Sequence, residues 1–190
     1  FALRTPAAST VTGKSFTLKK QVADGLIIGW AAGAAALVLA LAATGAVFGR
    51  RVRRFPLWDD PTILDIFEDC KKEAGVKSDR ISLRVGGDTP LLAGIRKPAI
   101  LIPEGYTHEE LRHVLIHELC HYRHKDIWIN VLCCFLLSVY WFNPVFWICF
   151  FIIRRDLEML CDYQVVEITG ERKAYASVLL RTALKRNQFL

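Results

Sequence analysis

The segment His117-Glu118-Leu119-Cys120-His121 sets two imidazoles four residues apart. On an α-helix that spacing puts both on one face, one turn apart, where they can take two corners of a tetrahedral zinc site. A catalytic zinc takes a third protein ligand, keeps one position open, and acidifies a water enough for a carboxylate base to remove its proton. Glu118, between the histidines, is the candidate base. The candidate third ligand is Glu158 in Glu158-Met159-Leu160-Cys161-Asp162, on a second predicted helix. Asp162, one turn further on the same face, is placed to accept a hydrogen bond from a ligating histidine and so fix its tautomer. Zn2+ is therefore the expected cofactor, and peptide-bond hydrolysis the expected reaction.

Blander readings compete at each position. His117 and His121 could be ordinary helix-surface histidines, and His108, His113 and His124 are read as solvated. Cys120 is expected to pack in the interior. A membrane signalling or scaffold protein that binds zinc structurally and cuts nothing would fill the fourth position with a protein ligand, for which Cys120 or Cys161 would serve. Thr12-Gly13-Lys14-Ser15 resembles the end of a phosphate loop, but Ala8 stands where the first glycine belongs and no strand precedes it, so that reading is discarded.

The elements that must position these residues can be followed along the chain. Asp60-Pro61 opens a helix carrying Ile63, Leu64, Ile66 and Phe67, which ends near Gly75. Ile81, Leu83 and Val85 alternate with polar residues, Gly86-Gly87-Asp88 punctuates, and Leu91-Leu92 and Ile100-Leu101-Ile102 follow around Gly94 and Pro98; the pattern predicts a small antiparallel sheet. Ile100, Leu101 and Ile102 are the expected sheet edge for aligning an extended substrate by strand addition. Thr107 with Glu110 three residues later is a capping box, and Leu111, Val114, Leu115 and Leu119 continue at helical spacing, so the histidine motif sits on a helix. A further helix is expected from Arg154 to about Thr169, with Gly170 as its C-cap, and another from Glu171 onward.

Composition places this in a membrane. Of the 190 residues 53% are hydrophobic, and mean hydropathy is positive. No charge occurs from Gly25 to Gly49, and at about 1.5 Å of rise per residue that run outspans the roughly 30 Å hydrocarbon core. It reads as a transmembrane helix at 25–49, after an N-terminal flank at 1–24 and before a metallopeptidase domain at 55–190. A second uncharged run, 127–153, is interrupted by Asn143-Pro144. Glu158 can reach the histidines only from the same side of the membrane, and Lys125 before the run and Arg154-Arg155 after it favour a re-entrant hairpin over a full crossing.

The net charge of +6 gathers partly at Arg50, Arg51, Arg53 and Arg54, which puts that end and the active site toward the cytoplasm, although Lys14, Lys19 and Lys20 weaken the asymmetry. No recognition motif accompanies the arginines, so membrane lipid, and not nucleic acid, is the expected partner. The six cysteines show no spacing of a secreted disulfide framework. Phe1 stands where Met would open a complete chain, so the sequence is read as an excised fragment.

The chain resembles the BlaR/MecR family of membrane metallopeptidases, antirepressors in the bacterial response to beta-lactam antibiotics. The resemblance covers most of the chain. It is carried by His117-Glu118-Leu119-Cys120-His121 with Arg123 and Asp126, by Trp141-Phe142-Asn143-Pro144, by Arg155, Glu158 and Cys161-Asp162, and by Gly94, Pro98 and the strand ending at Pro103. It implies an α+β membrane protein with a mostly helical, zincin-like peptidase domain, in which His117, His121 and Glu158 hold zinc and Glu118 is the base. It also implies a signal-transducing substrate, a cytoplasmic repressor or the chain itself. The prenyl-protein protease and HtpX-like groups share the motif, but Asn143-Pro144 argues against them. Full receptors of the family carry several transmembrane helices and an extracellular penicillin-binding sensor. This sequence has no Ser-x-x-Lys, so either the sensor was removed with a longer remainder or the chain is a member regulated by something else.

Overall fold

The computed structural model describes residues 10–187, and the first nine residues of the expected N-terminal flank lie outside them. Six helices and three strands follow in the order α1 (Thr10–Val52), α2 (Pro61–Glu73), β1 (Ser82–Val85), β2 (Leu91–Ala93), β3 (Ala99–Ile102), α3 (His108–His124), α4 (Asp126–Val139), α5 (Pro144–Thr169) and α6 (Arg172–Asn187). Short polar residues set the helix starts. Asp60 accepts from the Thr62 N–H with Pro61 in the first turn, Thr107 and Glu110 form the reciprocal box, and Asn143 accepts from the Val145 N–H ahead of Pro144. Gly170, at φ 70°, closes α5.

Two expectations are corrected here. The sheet is mixed, not antiparallel: its order is β1-β3-β2, with β1 parallel and β2 antiparallel to β3. Ile100, Leu101 and Ile102 therefore lie in the central strand, paired on both sides and buried, and offer no edge. The reason is compositional. Ala99-Ile100-Leu101-Ile102 is apolar on both faces, as a strand covered on both faces must be. The outer strands are β1, which Leu57 bridges at Arg84, and β2. The second correction is that α5 begins at Pro144, well before Arg154, because Asn143-Pro144 is a cap and first-turn pair that starts a helix.

The core wraps α3. Leu115, Ile116 and Leu119 have no exposure and pack with Phe67 of α2, Ile100 and Ile102 of β3, Cys161 and Val165 of α5, and Tyr175 and Val178 of α6. The α1 stretch Lys19–Val52 is the one described helix long and apolar enough to cross a membrane, and only 6% of its most apolar window is covered by protein. A soluble protein's core helix would be mostly covered, so this surface needs lipid or another apolar partner. Along α1 lies α4, with the Trp30 indole N–H donating to the Val139 carbonyl at 2.8 Å. The far end of α1 reaches the sheet, where Val52 packs against Ala93 and Ala99. Helices α4 and α5 pack together across the break at Tyr140–Asn143, so the chain leaves α3 and returns to it.

Candidate metal centre

The capped helix α3 presents His117 and His121 to one cavity, with their Nε2 atoms 3.0 Å apart. Because α5 returns alongside α3, Glu158 Oε2 comes within 3.6 Å of His117 Nε2 and 3.7 Å of His121 Nε2. Four-coordinate zinc with bonds of about 2.0–2.1 Å requires its donor atoms to lie about 3.3 Å apart. The three separations bracket that value, and two imidazoles with one carboxylate are a donor set that suits the ion. The residues fit a bound zinc.

Each histidine is backed by its own carboxylate. His121 Nδ1 lies 2.6 Å from Asp126 Oδ2, and His117 Nδ1 lies 3.2 Å from Asp162 Oδ1. The Tyr175 hydroxyl of α6 sits 2.9 Å from His117 Nδ1 and donates to the same Asp162 oxygen at 2.5 Å. Directing both Nδ1 atoms to acceptors leaves the Nε2 lone pairs for a metal. Asp126 is brought back to His121 by a sharp turn at Lys125, the one non-glycine residue at positive φ (61°) among the described residues.

The electrostatics of the cluster favour a cation. Burial alone would lower His117, but Asp162 and Glu158 outweigh it and push the imidazole up to about 10. The two histidines hold Glu158 well below the ordinary carboxylate range, more than offsetting its burial. Burial raises Glu118, which is 6% exposed, while His117, His121 and the Leu92 backbone N–H draw it back only partly. A divalent ion would displace the histidine protons and take over the same negative field.

The cavity holding these groups measures about 590 Å³ and is lined by His117, Glu118, His121 and Glu158 on one wall. Thr89, Leu91 and Leu92 beside β2 and Tyr175 and Leu179 of α6 line another. Cys120 lies outside the lining and is fully buried, its thiol pushed up to about 11 mainly by burial. Cys161 is also buried, 3.2 Å from His121 Nδ1, on the opposite side of that ring from the Nε2 cluster. With His121 and Asp126 it forms a second group of metal-ligand type, but one that draws on the same imidazole.

The expectation that His113 is solvated is corrected. It is fully buried, with Nδ1 2.9 Å from the Glu109 carbonyl, Nε2 3.1 Å from Glu171 and its ring stacked at 6.0 Å on Tyr175. Being one turn before His117 on α3, it shares the face that α6 covers. Tyr175 was not singled out from the sequence, since no local pattern links it to a histidine on another helix. Asp126 entered there only through the family resemblance. Its signal was a carboxylate just past the end of the motif helix.

A histidine pair on one helix, joined by a carboxylate from a second, is a donor set suited to a divalent metal. A family model described as BlaR1 peptidase M56 matches residues 7–190, and the chain belongs to that family. It is 28% identical over 174 residues to the regulatory protein BlaR1 of Bacillus licheniformis, covering 88% of this chain and 29% of that protein. It is 28% identical over 109 residues to the methicillin resistance mecR1 protein of Staphylococcus aureus, covering 54% of this chain and 19% of that protein. The chain thus spans less than a third of either relative.

Proposed function

We propose that this chain is the zinc metalloendopeptidase part of a membrane signal-transducing protein, with its active site on the cytoplasmic side. The observation that carries the reading is the convergence of His117 Nε2, His121 Nε2 and Glu158 Oε2 beside the buried carboxylate of Glu118. Zinc held by those three would supply a Lewis acid that polarises a peptide carbonyl and acidifies water. Glu118 is the general base and acid: it takes the proton from the attacking water and passes it to the departing amine. Asp162, Asp126 and Tyr175 orient the imidazoles. The outer strand β2 aligns an extended substrate, since Leu91 and Leu92 line the cavity and the central β3 is paired on both sides.

The relatives' names, a regulatory protein and a methicillin resistance protein, support a signalling role. A cytoplasmic transcriptional repressor, or the chain itself, is the proposed substrate. Helices α4 and α5 would dip into the membrane as a re-entrant pair and keep Glu158 on the histidines' side.

The test is zinc content and casein cleavage in detergent for the parent, Glu118→Ala and Glu158→Ala, purified alike. Glu118→Ala should keep zinc and lose cleavage by about 10²–10⁴-fold. Glu158→Ala should lose zinc. A parent that binds no zinc would sink the assignment.

A further inference from the structure

Two cavities meet at His121. The one described above is rimmed by carboxylates. The other, about 480 Å³, is lined by Lys77, Arg80, Arg96, Arg123 and Lys125 and by no acidic residue. All five cations are exposed, and none has a carboxylate at ion-pair distance among the described residues. Arg123 is anchored to the Ala74 carbonyl at 3.0 Å, so its charge is held in place. The others converge from the α2–β1 loop, the β2–β3 turn and the α3–α4 joint. Like charges gathered in one concavity repel, and an anion there relieves the repulsion.

The position of this pocket says which anion. Helix α4 starts at its wall, and α1 ends nearby, where Val52 packs on Ala93 and Ala99 at the base of the β2–β3 turn. The end of α4 away from the pocket is joined to the middle of α1 by the Trp30–Val139 hydrogen bond, so the two helices lie antiparallel, extending away from the pocket. Trp128 and Ile95 line the pocket yet remain 57% and 48% exposed. A tryptophan and uncompensated cations at the end of apolar helices are the pattern of a membrane–water interface.

We infer that this pocket binds the phosphate of an anionic phospholipid headgroup, with Trp128 and Ile95 against the glycerol and upper acyl region. The inference rests on α1 crossing the bilayer. A bound lipid would hold the α3–α4 joint, and with it His121, at the membrane surface.

The test uses the whole chain in phosphatidylcholine nanodiscs doped with tail-brominated lipid. Trp128 fluorescence is read as the difference between the parent and Trp128→Phe. Brominated phosphatidylglycerol should quench it at a several-fold lower mole fraction than brominated phosphatidylcholine. The preference should fall about fivefold for each cation removed in Arg96→Gln and Lys125→Asn, the asparagine tolerating the positive φ. Equal quenching by both lipids, or a preference that survives the double variant, overturns the site while leaving α1 in the bilayer. No quenching by either overturns the site together with the bilayer reading. If millimolar inorganic phosphate alone abolishes the preference, the ligand is free phosphate. If a short polyglutamate peptide does so at lower concentration, the pocket takes acidic protein. Either result overturns a lipid ligand.

Discussion

Replacing Asp126 by asparagine tests whether the groups behind the histidines matter as much as the proposed ligands. Asp126 Oδ2 is 2.6 Å from His121 Nδ1, the side chain is 11% exposed, and its other oxygen has no hydrogen-bond partner among the described residues. A buried carboxylate so placed depends on the imidazole for its compensation, and the imidazole becomes a stronger donor when its other nitrogen binds a metal. Asparagine keeps the shape and removes the charge. Loss of such a partner lowers metal affinity by about 10–100-fold, or about 1.4–2.8 kcal/mol. Asp126 also sits in the first turn of α4, so its charge contributes about 0.3–1 kcal/mol to helix stability by interaction with the N-terminal dipole. Melting of the metal-free protein reports the dipole contribution together with the lost Asp126–His121 contact, whereas zinc affinity reports only what the carboxylate adds once the imidazole binds metal. The assay is zinc competition against a chromophoric chelator in detergent, with thermal melting of the metal-free form beside it. Unchanged zinc affinity in a folded Asp126→Asn protein would refute the reasoning.

Three further outcomes are expected. In a Glu118→Ala background, benzoylphenylalanine at Thr89, beside β2 on the cavity wall, should crosslink a bound peptide, whereas at exposed Ile95 on the other pocket it should not; binding without a Thr89 crosslink would remove β2 as the guide. The Glu110 carboxylate is held below its usual 4.5 by the Thr107 N–H and, against some burial, by Arg181. Its stabilising effect should be full above pH 4.5 and disappear as pH falls through the lowered folded value, so melting of Glu110→Gln should show a shallower acid dependence than the parent. Gly94, at φ +96°, would place a Cβ 2.4 Å from the Lys97 carbonyl, so Gly94→Ala should cost on the order of 1–3 kcal/mol in denaturant melts; no loss would mean the β2–β3 turn relaxes freely.

Much of this architecture is local chemistry. Thr107 and Glu110 lie three residues apart, so the box that starts α3 needs nothing beyond its own turn. Asp60-Pro61 and Asn143-Pro144 are equally self-contained, and reading the latter as an interruption instead of a start misplaced the beginning of α5. Strand order was not legible, because Gly86-Gly87-Asp88 signals a reversal without saying which strand lies across it. The choice is made by tertiary pairing, which sets the fully buried β3 between parallel β1 and antiparallel β2. His113 was misread for a related reason, since a polar residue on a helix looks solvated until another helix covers it.

The sequence by itself determined the histidine pair, the carboxylate between them, the helix that carries them and the long apolar stretch, because each depends on spacings within a few turns of chain. It also singled out Glu158 and Asp162 as candidates through their one-turn spacing on a predicted helix. Only the tertiary structure decided that α5 folds back on α3, bringing Glu158 to both Nε2 atoms and Asp162 to His117. It alone placed Tyr175 behind His117 and gathered five cations from three separate segments into one pocket. Contacts between residues tens of positions apart depend on which buried faces pack together, and the chain's local periodicities do not specify that choice.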